Sequence, residues 1–254
     1  MNRDWLATTI EEVIEPDLEI IDPHHHLWDT ATVYGTYETS DLQLDTGGVE
    51  GVPGHNVLQT VFIDCGSNYR PDGPLHLQPV GETEYVTARA EVSESIPGAT
   101  IAAIVSHADL TLGSAVAEVL EAHVAAAGGR FRGIRHSAAR FDDPALPPPR
   151  VVRPFGIYLQ PDFQEGARTL ASMGLSFEAW QYHNQLDDVV ELAQAVPELS
   201  IVVNHLGGPL GVGSYAGRRE EVFAETRRGL STLARLPNVV LKVGGVGMTR
   251  YGVG

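Results

Sequence analysis

With 254 residues, 43% of them hydrophobic, the chain has enough apolar content for one large α/β domain or two small ones. A formal net charge of −16 argues against nucleic acid or an anionic membrane as a partner. The single cysteine, Cys65, excludes an intramolecular disulfide and fits a reducing compartment. No window holds the roughly 18 apolar residues that a membrane span needs, and the N-terminus lacks the apolar core of a signal peptide. We therefore expect a cytoplasmic protein.

The predicted first strand, over residues 18–21, runs directly into histidines at positions 24, 25 and 26. Because successive strand side chains alternate between faces, we expect His24 and His26 on one side and His25 on the other. Two neighbouring imidazoles can hold a divalent metal ion or polarise a carbonyl group. The alternative is a histidine-rich turn that packs against Trp28. The residues at the ends of the other strands bear on this choice.

Strands and helices alternate along the rest of the chain. Further strands are predicted at residues 57–63, 100–105, 131–134, 175–179, 200–203 and 239–243. Helices are predicted near residues 82–93, 114–127, 163–173, 186–195 and 220–235. Residues 30–56 are polar and contain several glycines, which predicts a long loop of the kind that often forms a lid or binding loop. The alternation of seven strands with helices indicates a parallel α/β architecture in a single domain over residues 1–254.

Two layouts fit this order of elements: an open doubly wound sheet and a (β/α)₈ barrel. A dinucleotide-binding fold usually carries a glycine fingerprint after its first strand, where this chain has histidines. In a barrel, the active residues gather at the carboxyl ends of the strands. Polar candidates stand at four such positions: His24 and His26 after the first strand, Arg135 and His136 after the fourth, His183 after the fifth and His205 after the sixth. The sequence therefore favours the TIM barrel.

Four blocks of sequence, in this order along the chain, resemble the amidohydrolase-related family, which includes lactonases and 2-pyrone-4,6-dicarboxylate hydrolases. The blocks are Ile21-Asp22-Pro23-His24-His25-His26, Phe131-Arg132-Gly133-Ile134-Arg135-His136, Tyr182-His183-Asn184-Gln185-Leu186 and Asn204-His205-Leu206-Gly207-Gly208-Pro209. The resemblance runs from about residue 18 to the end. It implies a (β/α)₈ barrel of the amidohydrolase type.

The resemblance also implies a site chemistry. In metal-using members, the histidines that correspond to His24, His26 and His183 hold one divalent ion, usually zinc, which polarises the ester carbonyl and lowers the pKa of the attacking water. Other members of the family hydrolyse lactones without a metal, so the sequence does not decide whether this protein binds an ion. Arg135 and His136 stand where binuclear sites need a lysine or a carboxylate, which argues against two metals.

Arg135 joins the three histidines as a candidate catalytic residue, because a guanidinium at a barrel mouth can bind a substrate carboxylate through two parallel hydrogen bonds. The alternative is a structural ion pair with Asp142 or Asp143. Asp22 is expected either to orient a histidine or to cap the strand end. The other side chains predicted to contact substrate are His136, His205, Tyr182, Trp28 and Arg140.

The predicted strand count departs from the family. A closed barrel needs an eighth strand, and the family places an aspartate after it as metal ligand and general base. Only seven strands are predicted for this chain. We expect either a longer native polypeptide or a truncated relative.

The sequence thus predicts a hydrolase that opens the lactone ring of a carboxylated or sugar-acid small molecule. The alternatives are a metal-dependent decarboxylase of the same superfamily and a non-catalytic remnant or binding protein. A small-molecule lactone is the expected partner, and the sequence leaves open whether the chain forms a homo-oligomer.

Overall fold

The structure is a computed structural model that describes residue 8 and residues 11–32, 35–49, 52–143, 153–245 and 247–252. The chain divides into two compact units, the first spanning Met1–Ser106 with Ala122–Arg132 and the second His107–Glu121 with Gly133–Gly254. Among the described residues, no helix is both long and apolar enough to cross a membrane.

Eleven strands are found in the described residues. Their bounds are β1 Ile20–His25, β2 Trp28–Thr32, β3 Gly35–Tyr37, β4 Gly48–Val49, β5 Val52–Pro53, β6 Val57–Ile63, β7 Thr100–Ser106, β8 Phe131–Ser137, β9 Ser176–Trp180, β10 Ile201–Val203 and β11 Val239–Leu241. The α-helices are α1 Thr39–Gly47, α2 Val80–Ser95, α3 Val116–Ala126, α4 Pro161–Ser172, α5 Leu186–Ala195 and α6 Arg219–Leu233. Short 3₁₀ helices include Leu110–Ala115, His183–Gln185 and His205–Gly207.

The first unit contains three parallel strands in the order β1, β6, β7. Strand β6 buries Thr60, Phe62 and Ile63, so side chains on both faces of the strand are buried. A parallel strand needs apolar residues on both faces because helices or other strands cover each side. Helix α2 packs on β7 and contributes Val86 and Ala90 to this core.

The second unit contains parallel strands in the order β8, β9, β10, β11. Phe163 of α4 and Phe177 of β9 are fully buried with their ring centroids 5.7 Å apart, and the buried Tyr158 packs on both. The strands approach closely at Gly133, where a Cβ would lie 2.4 Å from the Ser176 carbonyl oxygen. All seven predicted parallel strands are therefore present, three in the first unit and four in the second.

One prediction about the fold was wrong. Instead of a plain loop over residues 30–56, the structure has the antiparallel hairpins β2–β3 and β4–β5 and helix α1 between them. The strands are only two to five residues long, too short for an alternating pattern to stand out. Helix α1 buries Thr39, Leu42 and Thr46, and because only Leu42 of these is apolar, the helix shows little hydrophobic periodicity in the sequence.

Candidate active site

The histidine pair at the end of β1 lies as the sequence predicts. The Nε2 atoms of His24 and His26 are 3.3 Å apart, with the two rings edge to face. His25 is buried on another side, against Phe62, and burial lowers its pKa to about 4. Asp22 accepts a hydrogen bond from the His24 backbone N–H at 3.0 Å, and the choice between its two predicted roles stays a prediction.

The tautomer of His26 is set by its second ring nitrogen, which lies 2.7 Å from the Ile63 carbonyl oxygen. Because a carbonyl oxygen can only accept, Nδ1 carries the proton and Nε2 keeps its lone pair. This is the arrangement in which an imidazole binds a metal ion or accepts a hydrogen bond through Nε2. Strand β6, which supplies Ile63, thus orients the side chain that β1 supplies.

The spacing of the pair fits a divalent ion. Two nitrogens bound at about 2.0–2.1 Å to a tetrahedral zinc ion are about 3.3–3.4 Å apart, and the observed Nε2 separation is 3.3 Å. Among the described residues, no group of three or more histidine, cysteine, aspartate or glutamate side chains is close enough to hold an ion. The structure therefore provides two candidate ligands.

A second group of functional side chains surrounds His205, which follows β10. Its ring meets Trp180 edge-on, with centroids 5.1 Å apart. Burial and, to a smaller extent, the positive charges of Arg135, Lys242 and Arg250 together lower the pKa of His205 to about 4. A neutral imidazole among three cations is suited to binding an anion, because the cations attract negative charge while the imidazole stays uncharged at neutral pH.

Lys242 is held by a buried ion pair that sequence reasoning missed. Its Nζ atom contacts the Glu178 carboxylate, and the two side chains are only 11% and 4% exposed. Glu178 also accepts a hydrogen bond from Asn204 Nδ2 at 2.9 Å. Strand register explains the meeting, since Val203 of β10 pairs with Ala179 on one side and Leu241 on the other. The feature of the sequence that could have indicated this ion pair is Glu178, a glutamate inside the apolar strand Ser176–Trp180.

The chain matches known proteins in sequence. A protein-family model described as Amidohydrolase matches residues 21–252. The chain belongs to the amidohydrolase family. The uncharacterized protein y4mH of Sinorhizobium fredii is 31% identical to this amidohydrolase over 245 residues, which cover 92% of this chain and 75% of that protein.

Solved structures of amidohydrolases are similar to this one. A Burkholderia multivorans amidohydrolase with bound HEPES is 21% identical, with a TM-score of 0.60 over 89% of this chain and 70% of that one. A structure of the Burkholderia protein with bound zinc gives 21% identity and a TM-score of 0.58, over 89% and 69%. For an amidohydrolase from Bifidobacterium longum subsp. infantis the values are 21% and 0.53, over 90% and 74%. These likenesses confirm the predicted α/β fold of the amidohydrolase barrel type.

In this amidohydrolase, the His183 side chain is buried in the second unit. Its Nδ1 accepts a hydrogen bond from the Leu210 backbone N–H at 3.3 Å, and its Nε2 lies 3.4 Å from the Glu225 carboxylate without the geometry of a hydrogen bond. Burial lowers the pKa of His183, and Glu225 opposes that shift. Its role as a third metal ligand stays a prediction.

Three other side chains predicted to contact substrate form different hydrogen bonds in the structure. Tyr182 Oη accepts a hydrogen bond from Arg250 at 2.9 Å, which ties it to the cations around His205. His136 is fully buried, its Nδ1 accepts from the Leu110 N–H at 3.3 Å, and burial lowers its pKa well below the usual histidine range. Trp28 donates to the Gly35 carbonyl oxygen at 2.7 Å and so fastens the β2–β3 hairpin.

Arg140 already has structural partners. Its guanidinium donates to both oxygens of Asp142, at 3.1 and 3.0 Å, and to the Arg153 carbonyl oxygen at 3.0 Å. It also lies over the Phe155 ring, 4.3 Å from the centroid. Asp142, one of the two acids considered as a structural partner for Arg135, is thus paired with Arg140. These contacts give Arg140 a structural role in its own loop, and substrate binding by Arg135 stays a prediction.

Proposed function

We propose that this amidohydrolase hydrolyses the lactone ring of a small carboxylated molecule, with sugar-acid lactones included in the class. The observation that carries the proposal is the set of cations around the neutral imidazole of His205. A substrate carboxylate would bind to the Arg135 guanidinium through two parallel hydrogen bonds and gain from the charge of Arg250, whereas the charge of Lys242 is balanced by Glu178.

His24 and His26 supply the second part of the proposal. The His26 Nε2 lone pair, fixed by the Ile63 carbonyl oxygen, is available to a divalent ion together with His24. Such an ion, when bound, polarises the ester carbonyl and lowers the pKa of water, and zinc is the ion we propose. In the reaction, water adds to the carbonyl carbon, the ring C–O bond breaks, and a hydroxy acid is released.

Product analysis tests the reaction class. The protein is incubated with a panel of carboxylated and sugar-acid lactones, with and without added zinc, and the products are followed by NMR and by CO₂ release. A ring-opened hydroxy acid supports the proposal. Release of CO₂ would identify the decarboxylase alternative, and the absence of turnover across the panel would favour a binding or remnant protein.

His24→Ala tests the histidine pair. We expect turnover of the best lactone to fall below detection, because the variant loses one of the two Nε2 groups. His76→Ala, which removes a histidine of the 3₁₀ helix Leu75–Leu77 that has no part in the proposed site, serves as the matched control and should keep wild-type activity. Activity within a few-fold of wild type in His24→Ala would contradict the assignment.

Arg135→Ala tests carboxylate binding. We expect KM for a carboxylated lactone to rise at least about tenfold, which corresponds to the loss of roughly 1.4 kcal/mol of binding, within the range for a charge-assisted hydrogen bond. For a lactone that lacks the carboxylate, KM should stay unchanged. Arg227→Ala, an exposed arginine of α6, is the control. An equal effect on both substrates would contradict carboxylate recognition by Arg135.

A further inference from the structure

Glu82 is a buried carboxyl group without a role in the proposed chemistry. It lies in the first turn of α2 and is only 1% exposed. Its Oε1 accepts from the Ser67 backbone N–H at 2.7 Å and from the Cys65 N–H at 3.2 Å, and lies 3.2 Å from Ser67 Oγ. Buried carboxyl groups need such partners. Here the partners are all in the turn that follows β6.

That turn is linked to the residue after His26. Ser67 Oγ lies 3.1 Å from the carbonyl oxygen of Leu27, which is completely buried and follows His26 directly in the chain. Cys65 Sγ also approaches the Leu27 carbonyl oxygen, at 3.5 Å. The turn anchored on Glu82 therefore holds the backbone at Leu27, beyond the end of β1 and directly after the histidine pair.

The turn is also continuous with the residue that orients the His26 ring. Ile63 ends β6 and accepts the His26 Nδ1–H at 2.7 Å, and the chain passes from Ile63 to Ser67 in four residues. The two ends of residues 63–67 thus contact neighbouring parts of the chain: Ile63 accepts from the His26 ring, and Ser67 contacts the carbonyl oxygen of the next residue, Leu27. Both ends of this run depend on the position of the turn that Glu82 fixes.

We propose that Glu82 is a positioning residue that acts through residues 63–67 to hold His26 in its Nδ1–H tautomer, with the Nε2 lone pair directed toward His24. The proposal rests on the histidine pair of the proposed function, but on neither a lactone substrate nor a bound ion. Neutral amide groups can replace the carboxyl here, because burial and the nearby Asp64 carboxylate raise the pKa of Glu82 well above the usual range. Glutamine is accordingly the conservative replacement.

The experiment reads the tautomer directly. Two-bond ¹H–¹⁵N correlation spectra of the ¹⁵N-histidine-labelled, metal-free protein at pH 7.5 distinguish an Nδ1–H imidazole from an Nε2–H imidazole. We expect the His26 signal of the wild type to be that of a single Nδ1–H tautomer. Glu82→Ala should lose it and give a mixture, whereas Glu82→Gln should restore it. Glu91→Ala, an exposed glutamate on the same helix, is the control and should match the wild type.

Retention of the Nδ1–H tautomer in a folded Glu82→Ala protein would overturn the proposal. If Glu82→Ala fails to fold by circular dichroism, Ser67→Ala decides, since it removes only the hydroxyl that joins the turn to Leu27. A mixed tautomer in Ser67→Ala supports the proposal, and an unchanged spectrum overturns it. Because neither substrate nor metal is present, the absence of lactone turnover would leave this result unaffected.

Discussion

His205 shows how surroundings set the chemistry of a single residue. An isolated histidine is half protonated near pH 6.5, whereas burial and the cations Arg135, Lys242 and Arg250 bring the pKa of His205 to about 4. Both causes disfavour the positive imidazolium, burial by desolvation and the cations by repulsion. His205 also has a backbone φ of 51°, in the left-handed region that residues other than glycine seldom adopt. Strained backbone conformations cluster at functional sites, which agrees with the position of His205 in the candidate site.

Removal of one of these cations should move the pKa of His205 in a known direction. In Arg135→Ala the repulsion from one positive charge is lost while burial remains, so we expect the pKa to rise from about 4 while staying below 6.5. An NMR titration of the imidazole Cε1 proton measures it. Arg227→Ala should leave the titration unchanged. A pKa for His205 that does not move in Arg135→Ala would show that Arg135 does not act on this ring.

At the scale of elements, the ends of β9, β10 and β11 are joined by polar groups. Glu178 lies within β9, Asn204 directly follows β10, and Lys242 directly follows β11. Buried charges are stable only when they are paired, and these form one connected group. The ion pair holds the Lys242 side chain near His205. It also links β9 to the residue that follows β11.

Lys242→Met should destabilise the protein by about 3–5 kcal/mol, because it leaves the Glu178 carboxylate buried without its partner. The double variant Glu178→Gln/Lys242→Met should lose less, since no unpaired charge remains. Urea unfolding of the two variants measures the difference. The exposed pair Arg228–Asp187 provides the control: Arg228→Met should change stability by less than about 1 kcal/mol. Equal losses in the single and double variants would contradict an energetically coupled pair.

Helix α4 packs closely against the backbone of Leu110 at Gly166. A Cβ at Gly166 would lie 2.2 Å from the Leu110 carbonyl oxygen, which belongs to backbone and cannot simply rotate away. Gly166→Ala should therefore force α4 to shift and lower the free energy of unfolding by about 1–3 kcal/mol. Gly47→Ala, at the end of α1 with nothing within 4 Å of the new Cβ, is the control. Thermal unfolding compares the two, and a Gly166→Ala protein as stable as Gly47→Ala would contradict the close packing.

At the scale of the whole molecule, buried histidines make stability sensitive to acid. Burial lowers the pKa of four of them, His25, His136, His183 and His205, in the folded protein. In the unfolded chain each titrates near 6.5. Below that pH the unfolded state binds more protons than the folded state, so acid favours unfolding.

We therefore expect the free energy of unfolding to be highest above pH 6.5 and to fall as the pH drops from about 6.5 toward 4. Urea unfolding at pH 7.5, 6.0 and 5.0 measures this trend. His205→Gln should weaken the dependence on pH, because one of the shifted groups is removed. Stability that stays flat between pH 7.5 and 5.0 would contradict the lowered pKa values.

The elements and the histidine pair were predictable because their signals are local. Apolar runs of parallel strands and the helical spacing between them depend on neighbouring residues, so the seven strands were found in order. Strand alternation also predicts His24 and His26 on one side, and their rings do lie together, although β1 is irregular between Asp22 and His25. The hairpins β2–β3 and β4–β5 were not predicted because strands of two to five residues are too short to show an alternation of apolar and polar residues.

The sequence by itself determined the family, the order of the strands and the residues that stand at their carboxyl ends. Tertiary structure alone decided the partners of those residues, because side chains far apart in the chain meet only when strands pair. Glu178 and Lys242 are 64 residues apart, and Arg250 reaches Tyr182 across 68. The pKa of His205 depends on such neighbours and on burial, neither of which is written in local sequence. For the same physical reason, the pairing of Arg140 with Asp142 became visible only in the fold.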